Sequence, residues 1–207
     1  MDITVACADV GSVDGGNFGW AILDMPDDLE ETPKNASITE FADALVDRLR
    51  EGRSVALGFE CPLFIPVRDD PKDLTKARDN EGSRAWSAGP GTGSLVTGLT
   101  ETVWVFSRVR DRIDIEPPVT FDWEVFQDME GGLLLWEAFI SGDDKVGSHH
   151  GDAAAAVEFF CKGLPDPEEL NMIEESNVFS LVGASLMRAG WDVDRDALEA
   201  STLVVSA

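Results

Sequence analysis

The sequence lacks the segments and the cysteine pattern that mark membrane, secreted and disulfide-stabilised proteins. Its 207 residues contain no run of about 18 uncharged apolar residues, so we predict no transmembrane helix and no membrane partner. Residues 1–4 show no basic region leading into an apolar stretch, so we expect no secretory signal. The three cysteines, Cys7, Cys61 and Cys161, are odd in number and far apart, which disfavours a disulfide framework or a Cys-x-x-Cys zinc site. We therefore expect a cytoplasmic protein.

Basic residues are also scarce. The chain has 16 Lys and Arg against 40 Asp and Glu, for a net charge of −24. This balance excludes the usual basic footprint of a protein that binds nucleic acid at ordinary salt concentrations. It also destabilises the compact state by self-repulsion unless counterions screen it. We therefore expect a protein adapted to concentrated salt, as in the cytoplasm of an extreme halophile; an ordinary acidic protein is the alternative.

The stability of such a chain should depend on salt. At molar salt the Debye length is about 3 Å, so most of the repulsion among surface carboxylates is screened. We expect the melting temperature to rise steeply when KCl is increased from low to molar concentration. A melting temperature that does not change across that series would remove the argument for salt adaptation.

One segment is spared from the general acidity. Between Arg68 and Arg112 there are eight basic and seven acidic residues, so this segment carries +1 while the other 162 residues carry −25. Such a segment is a candidate surface for an anionic ligand. The alternative is a run of local ion pairs, such as Lys76 with Asp79 on one helical turn.

The hydrophobic pattern predicts a single α/β domain spanning residues 1–207, with no internal repeat. An Asp-Gly turn joins the first two strands into a hairpin, and a Ser-x-x-Glu capping box at residues 37–40 begins the first helix. Residues 64–98 are predicted to form a long loop, and a weak third strand is expected within residues 25–36. The other predicted elements are strands at 3–10, 18–23, 55–59, 133–140 and 203–205 and helices at 38–49, 95–113, 153–160 and 177–189.

Four acidic residues occupy positions where an ionised carboxylate is costly. They are Asp9 near the end of the first strand, Glu60 at the end of a later strand, Glu137 inside an apolar run and Asp152 at a helix start. A buried carboxylate needs a partner or a metal, and several together repel one another. Mg²⁺ is typically bound by one or two carboxylates and a substrate phosphate. We therefore predict a cation site that includes Asp9 and Glu60, although a cap, a surface acid or an ion pair explains each residue taken singly.

Short motifs accompany these carboxylates in a fixed order along most of the chain. They are Asp-Val-Gly at 9–11 with Gly16, Gly19 and Trp20; Gly-Phe-Glu-Cys-Pro-Leu at 58–63; residues 78–82 with Arg84 and Ser87; His-Gly-Asp-Ala at 150–153; and Gly-Ala-Ser-Leu at 183–186 with 189–191. In this order the sequence resembles the ribonuclease-H-like fold and, more narrowly, the family called domain of unknown function 429, a family of predicted nucleases. The resemblance implies an α/β fold with a mixed sheet flanked by helices. Three features depart from the family's pattern and bear on substrate more than on fold. Glu60 stands where Asp is expected as often, no Pro follows Glu137, and segment 87–93 is Gly-rich.

The resemblance also implies metal-dependent cleavage of phosphodiester bonds. Asp9, Glu60 and Asp152 would hold one or two Mg²⁺ or Mn²⁺ ions, with Glu137 as a candidate fourth ligand. Substrate would be bound by four residues of the segment that follows Glu60: Arg68, Arg78, Arg84 and Ser87. The guanidinium groups of the three arginines fit phosphate. The neighbouring pair His149 and His150 would move a proton or orient water. The alternative is that these histidines only cap the helix or pack at its start. Of the two, His150 is the candidate catalytic residue.

Two other classes of function remain open from the sequence. A ribonuclease-H-like binding module without catalysis would suit the acidic surface and the many tryptophans, and it would show no divalent-metal affinity at the site. Actin-like ATPases and sugar kinases also open with a strand Asp and a Gly-containing hairpin, but they normally need two such domains. The expected partner in the leading interpretation is a nucleic acid or a smaller phosphoester.

Overall fold

The chain forms a mixed β-sheet with helices on both faces. The computed structural model describes residues 2–26, 34–82, 85–140 and 147–206, which contain nine strands and five α-helices. The strands are β1 (Ile3–Asp9), β2 (Gly19–Asp24), β3 (Lys34–Asn35), β4 (Ser54–Phe59), β5 (Phe64–Pro66), β6 (Val119–Thr120), β7 (Leu133–Phe139), β8 (Val178–Ser180) and β9 (Leu203–Ser206). The helices are α1 (Ile38–Arg50), α2 (Pro90–Arg110), α3 (Trp123–Gln127), α4 (His149–Gly163) and α5 (Leu181–Arg188).

The main sheet has seven strands in the order β3-β2-β1-β4-β7-β6, and β9 also pairs with β7. The pairs β1–β2 and β2–β3 are antiparallel, whereas β4 is parallel to both β1 and β7. Strand β6 pairs with the first residues of β7, and β9 pairs with its last residues. Strands β5 and β8 form a separate antiparallel pair. Because β1 and β4 are parallel neighbours, their carboxyl ends meet at one edge of the sheet.

The two faces of the sheet have separate apolar cores. On one face Ala6 and Ala8 of β1 pack with residues of α1, α2 and α5. On the other face Val5 and Cys7 pack with residues of α3 and α4. A strand buried on both faces has no polar alternation, which is why β1 was recognisable as a continuous apolar run.

The α/β class and most of the predicted elements are confirmed. The differences concern where α2 begins and the short strand β8. Helix α2 begins at Pro90, inside the segment predicted as a loop, because proline is well accommodated in a first helical turn. The helix predicted at 177–189 is instead strand β8 followed by α5. The expected weak third strand corresponds to β3, although residues 27–33 lie outside the described part of the chain. No helix within the described residues is both long and apolar enough to cross a membrane.

A candidate metal centre

The structure brings three of the predicted carboxylates together. Asp9 ends β1, Glu60 follows β4, and Asp152 lies in the first turn of α4. One carboxylate oxygen from each of the three lies within 4.8 Å of the others. Asp9 and Asp152 are each only 5% exposed. The cluster forms because β1 and β4 end at the same edge of the sheet and α4 begins above that edge.

A glycine on β2 allows α4 to begin so close to β1. Gly19 is the register partner of Asp9. A Cβ atom at Gly19 would lie 2.1 Å from the backbone nitrogen of His150 and 2.2 Å from the carbonyl carbon of His149. Any side chain at this position would push the first turn of α4 away from the sheet. The Ser148 hydroxyl caps that turn by accepting a hydrogen bond from the Gly151 N–H (3.3 Å).

The two histidines at the helix entry have different environments. His149 Nδ1 lies 2.5 Å from Asp9 Oδ2, and its side chain is 39% exposed. His150 is exposed, and its Nε2 lies 3.4 Å from the Ser148 hydroxyl. His149 therefore replaces His150 as the histidine that contacts the cluster.

Glu137 was the candidate fourth ligand, and the structure places it in an ion pair outside the cluster. Its carboxylate oxygens accept hydrogen bonds from Arg78 Nη1 and Nη2 at 2.8 and 2.6 Å. The Leu63 backbone N–H donates a further bond at 2.9 Å. Its side chain is 1% exposed. Glu137 is thus neutralised by a buried arginine, one of the alternatives that the sequence left open.

Arg78 is consequently not available to a substrate phosphate. Its side chain is fully buried between Glu137 and Glu81, and its Nε and Nη2 donate to Glu81 Oε1 at 3.1 and 2.9 Å. Burial alone would lower the pKa of this guanidinium, but the charges of Glu137 and Glu81 outweigh burial and raise its pKa above the usual range. The prediction of Arg78 as a phosphate ligand is corrected: it is a buried cation shared by two carboxylates.

The other predicted substrate ligands have internal partners or lie outside the described residues. Arg68 forms a two-bond pair with Glu175, at 2.5 and 3.0 Å. The Ser87 hydroxyl donates to the Thr75 carbonyl oxygen at 2.5 Å. Arg84 lies outside the described residues. For Arg68 and Arg78 the ion-pair interpretation is the one the structure favours, with partners that include residues distant in sequence.

Glu101 is a further acidic residue near the cluster, and it belongs to none of the sequence motifs. It lies on the buried side of α2, and its Oε2 accepts a bond from the Gly11 N–H at 3.3 Å. Burial raises the pKa of Glu101 to about 7; the negative charge of Asp9 adds to the rise and the Gly11 N–H opposes it. The available signal was a lone acid among the buried, mostly apolar positions of a helix.

The proton on Glu101 makes a testable contribution to stability. The folded protein holds this proton up to about pH 7, whereas an unperturbed glutamate releases it near pH 4.5. The folded state thus binds more protons in this window, and the free energy of unfolding falls as pH rises. We expect the metal-free Glu101→Gln variant to gain about 2 kcal/mol relative to the parent between about pH 5 and pH 8. Urea unfolding in EDTA at the two pH values measures this gain, and an unchanged difference would refute it.

Comparisons with models of protein families, with curated proteins and with solved structures give no match to this chain.

Proposed function

We propose that the protein is a divalent-metal-dependent phosphodiesterase or nuclease with a ribonuclease-H-like fold. The proposal rests on one observation, the convergence of Asp9, Glu60 and Asp152 from three separate elements. The order of those elements supports it. A first strand ending in Asp, a hairpin, a helix, a parallel strand followed by Glu, a later strand and a helix opening with Asp follow one another as in the motifs that carry the resemblance.

The donor set suits a hard divalent cation. Carboxylate oxygens are the ligands that Mg²⁺ and Mn²⁺ take, and neither thiol nor imidazole nitrogen belongs to the group of three. Three carboxylates at this spacing repel one another, and a dication would offset that repulsion. Asp9, Glu60 and Asp152 would hold the cation, which would supply Lewis-acid activation of a phosphodiester and of water.

His149 gives the cluster a group that can move a proton. Its Nδ1 contacts Asp9, which fixes the orientation of the ring. The half-exposed ring leaves Nε2 as the nitrogen that can exchange a proton with solvent or substrate. We assign His149 the positioning of Asp9 and a proton-transfer role at the site.

The acidic surface limits how such an enzyme would bind its substrate. With −24 overall, phosphate contacts cannot come from a broad basic face. We propose that the protein works in concentrated salt, where screening reduces the repulsion between this surface and an anionic substrate.

Metal binding and hydrolysis test the proposal together. In molar KCl we expect Mn²⁺ to bind in calorimetry and bis(p-nitrophenyl) phosphate to be hydrolysed with Mn²⁺ or Mg²⁺ but not with EDTA. Mn²⁺ binding without hydrolysis of this ester, RNA or DNA would favour a binding module. ATP turnover without diester hydrolysis would favour a phosphoryl-transfer protein. No Mn²⁺ binding would overturn the proposal.

A further inference from the structure

A cavity adjoins the candidate metal centre. Its volume is about 340 Å³, and Glu60 belongs both to its wall and to the carboxylate cluster. The cavity lies between the residues that follow β4, the end of β7 and the first turns of α2. Ligand pockets usually span about 300–1,000 Å³, so this one is of a size for a single small molecule.

The walls of the cavity are mainly apolar. Pro62, Pro90, Phe139 and Ile140 form much of the lining, and Ser94 adds a hydroxyl from α2. A flat ring or a sugar could bury apolar surface against these side chains. This attraction does not depend on the release of counterions from phosphates, so it persists in concentrated salt.

The polar part of the lining is anionic and held in place. Glu81 and Glu137 line the cavity, and both are fixed by the buried guanidinium of Arg78. The two carboxylates share one cation, so this part keeps one negative charge. None of the described residues that line the cavity is Lys or Arg. Among the described residues, then, this wall disfavours a phosphate and suits an uncharged group.

We propose that this cavity binds the base and sugar of a single nucleotide whose phosphate reaches the carboxylate cluster. The inference rests on the proposed function and narrows its substrate class to small nucleotide phosphoesters. Glu60 marks the junction, because it belongs both to the carboxylate cluster that would hold the cation and to the wall of the cavity that would hold the nucleoside. Long duplexes fit poorly, because they would bring many phosphates against a surface of strong negative charge.

A cavity-filling variant tests the inference with 5′-AMP as the probe. Ser94→Phe should occupy the cavity, while Thr100→Phe, on the exposed face of the same helix, is the matched control. In molar KCl with Mn²⁺, we expect Ser94→Phe to weaken AMP binding by at least about tenfold, as for the lost burial of one ring. Mn²⁺ affinity, measured without AMP, should be unchanged in both variants, and AMP affinity should be unchanged in Thr100→Phe.

The outcomes separate the inference from the proposed function. If the parent binds Mn²⁺ but Ser94→Phe binds AMP as tightly as the parent, the inference is overturned and the proposed function stands. Preference of the parent for duplex DNA over AMP at the same KCl concentration would also overturn the inference. Absence of Mn²⁺ binding by the parent would overturn the proposed function, and the inference with it. If Ser94→Phe melts below its control, Phe139→Ala, which removes part of the apolar wall, must weaken AMP binding instead.

Discussion

Replacing Asp9 by asparagine is expected to abolish metal binding and phosphodiester hydrolysis while the fold survives. Asparagine keeps the shape of the side chain but removes one of the three charges that face the cation. Loss of groups that only support metal ligands already costs about 10–100-fold in affinity, so we expect more than about 100-fold for the ligand itself. Calorimetric titration with Mn²⁺ in molar KCl measures the loss.

The same variant should be at least as stable as the parent without metal. Asp9 lies close to two other carboxylates, and removing its charge relieves their repulsion. The control is Asp24→Asn. Asp24 lies at the end of β2 that is far from the cluster, and its carboxylate accepts hydrogen bonds from Thr4 and Arg48. We expect that control to lose stability and to keep Mn²⁺ affinity. Parent-like Mn²⁺ binding by Asp9→Asn would contradict the assignment of Asp9.

Replacing Arg78 by methionine is expected to cause the largest loss of stability. The change leaves Glu81 and Glu137 buried without the cation they share. Removing one partner of a buried ion pair costs about 3–5 kcal/mol, because the remaining charge stays away from water. Urea unfolding at fixed molar KCl gives the difference in free energy from the parent.

An exposed ion pair provides the comparison for Arg78. Lys162 Nζ lies 2.6 Å from Glu158 Oε1, and both side chains are about half exposed. We expect Lys162→Met to change stability by less than about 1 kcal/mol. Adding Glu81→Gln and Glu137→Gln to Arg78→Met should recover part of the loss, since the stranded charges are then removed. A loss for Arg78→Met as small as that of Lys162→Met would contradict the buried network.

The longer strands and the three carboxylates could be predicted because their signals are local, whereas the short strands β5, β6 and β8 were not predicted. The apolar run of β1 and the position of Asp9 at its end are both visible in a few consecutive residues. Glu60 follows β4 in the same way, and parallel pairing then brings the two carboxylates to one edge. Asp152 was identifiable as an acid at a helix start.

The remaining features of the site depend on contacts between residues that are far apart in sequence, which no short stretch of the sequence reveals. Arg78 and Glu137 are 59 residues apart, so nothing in either neighbourhood reveals that they pair. Which of the two histidines contacts Asp9 depends on the position of the first turn of α4, which packs closely against Gly19 of β2. Glu101 reaches Gly11 only because α2 packs across the end of β1.

Crystals soaked in Mn²⁺ and measured at a wavelength with strong manganese anomalous scattering test the central claim most directly. We expect anomalous difference density among the carboxylates of Asp9, Glu60 and Asp152, and none there in crystals of Asp9→Asn. Density elsewhere only, or none at a saturating Mn²⁺ concentration, would contradict the assignment of this cluster as a metal centre.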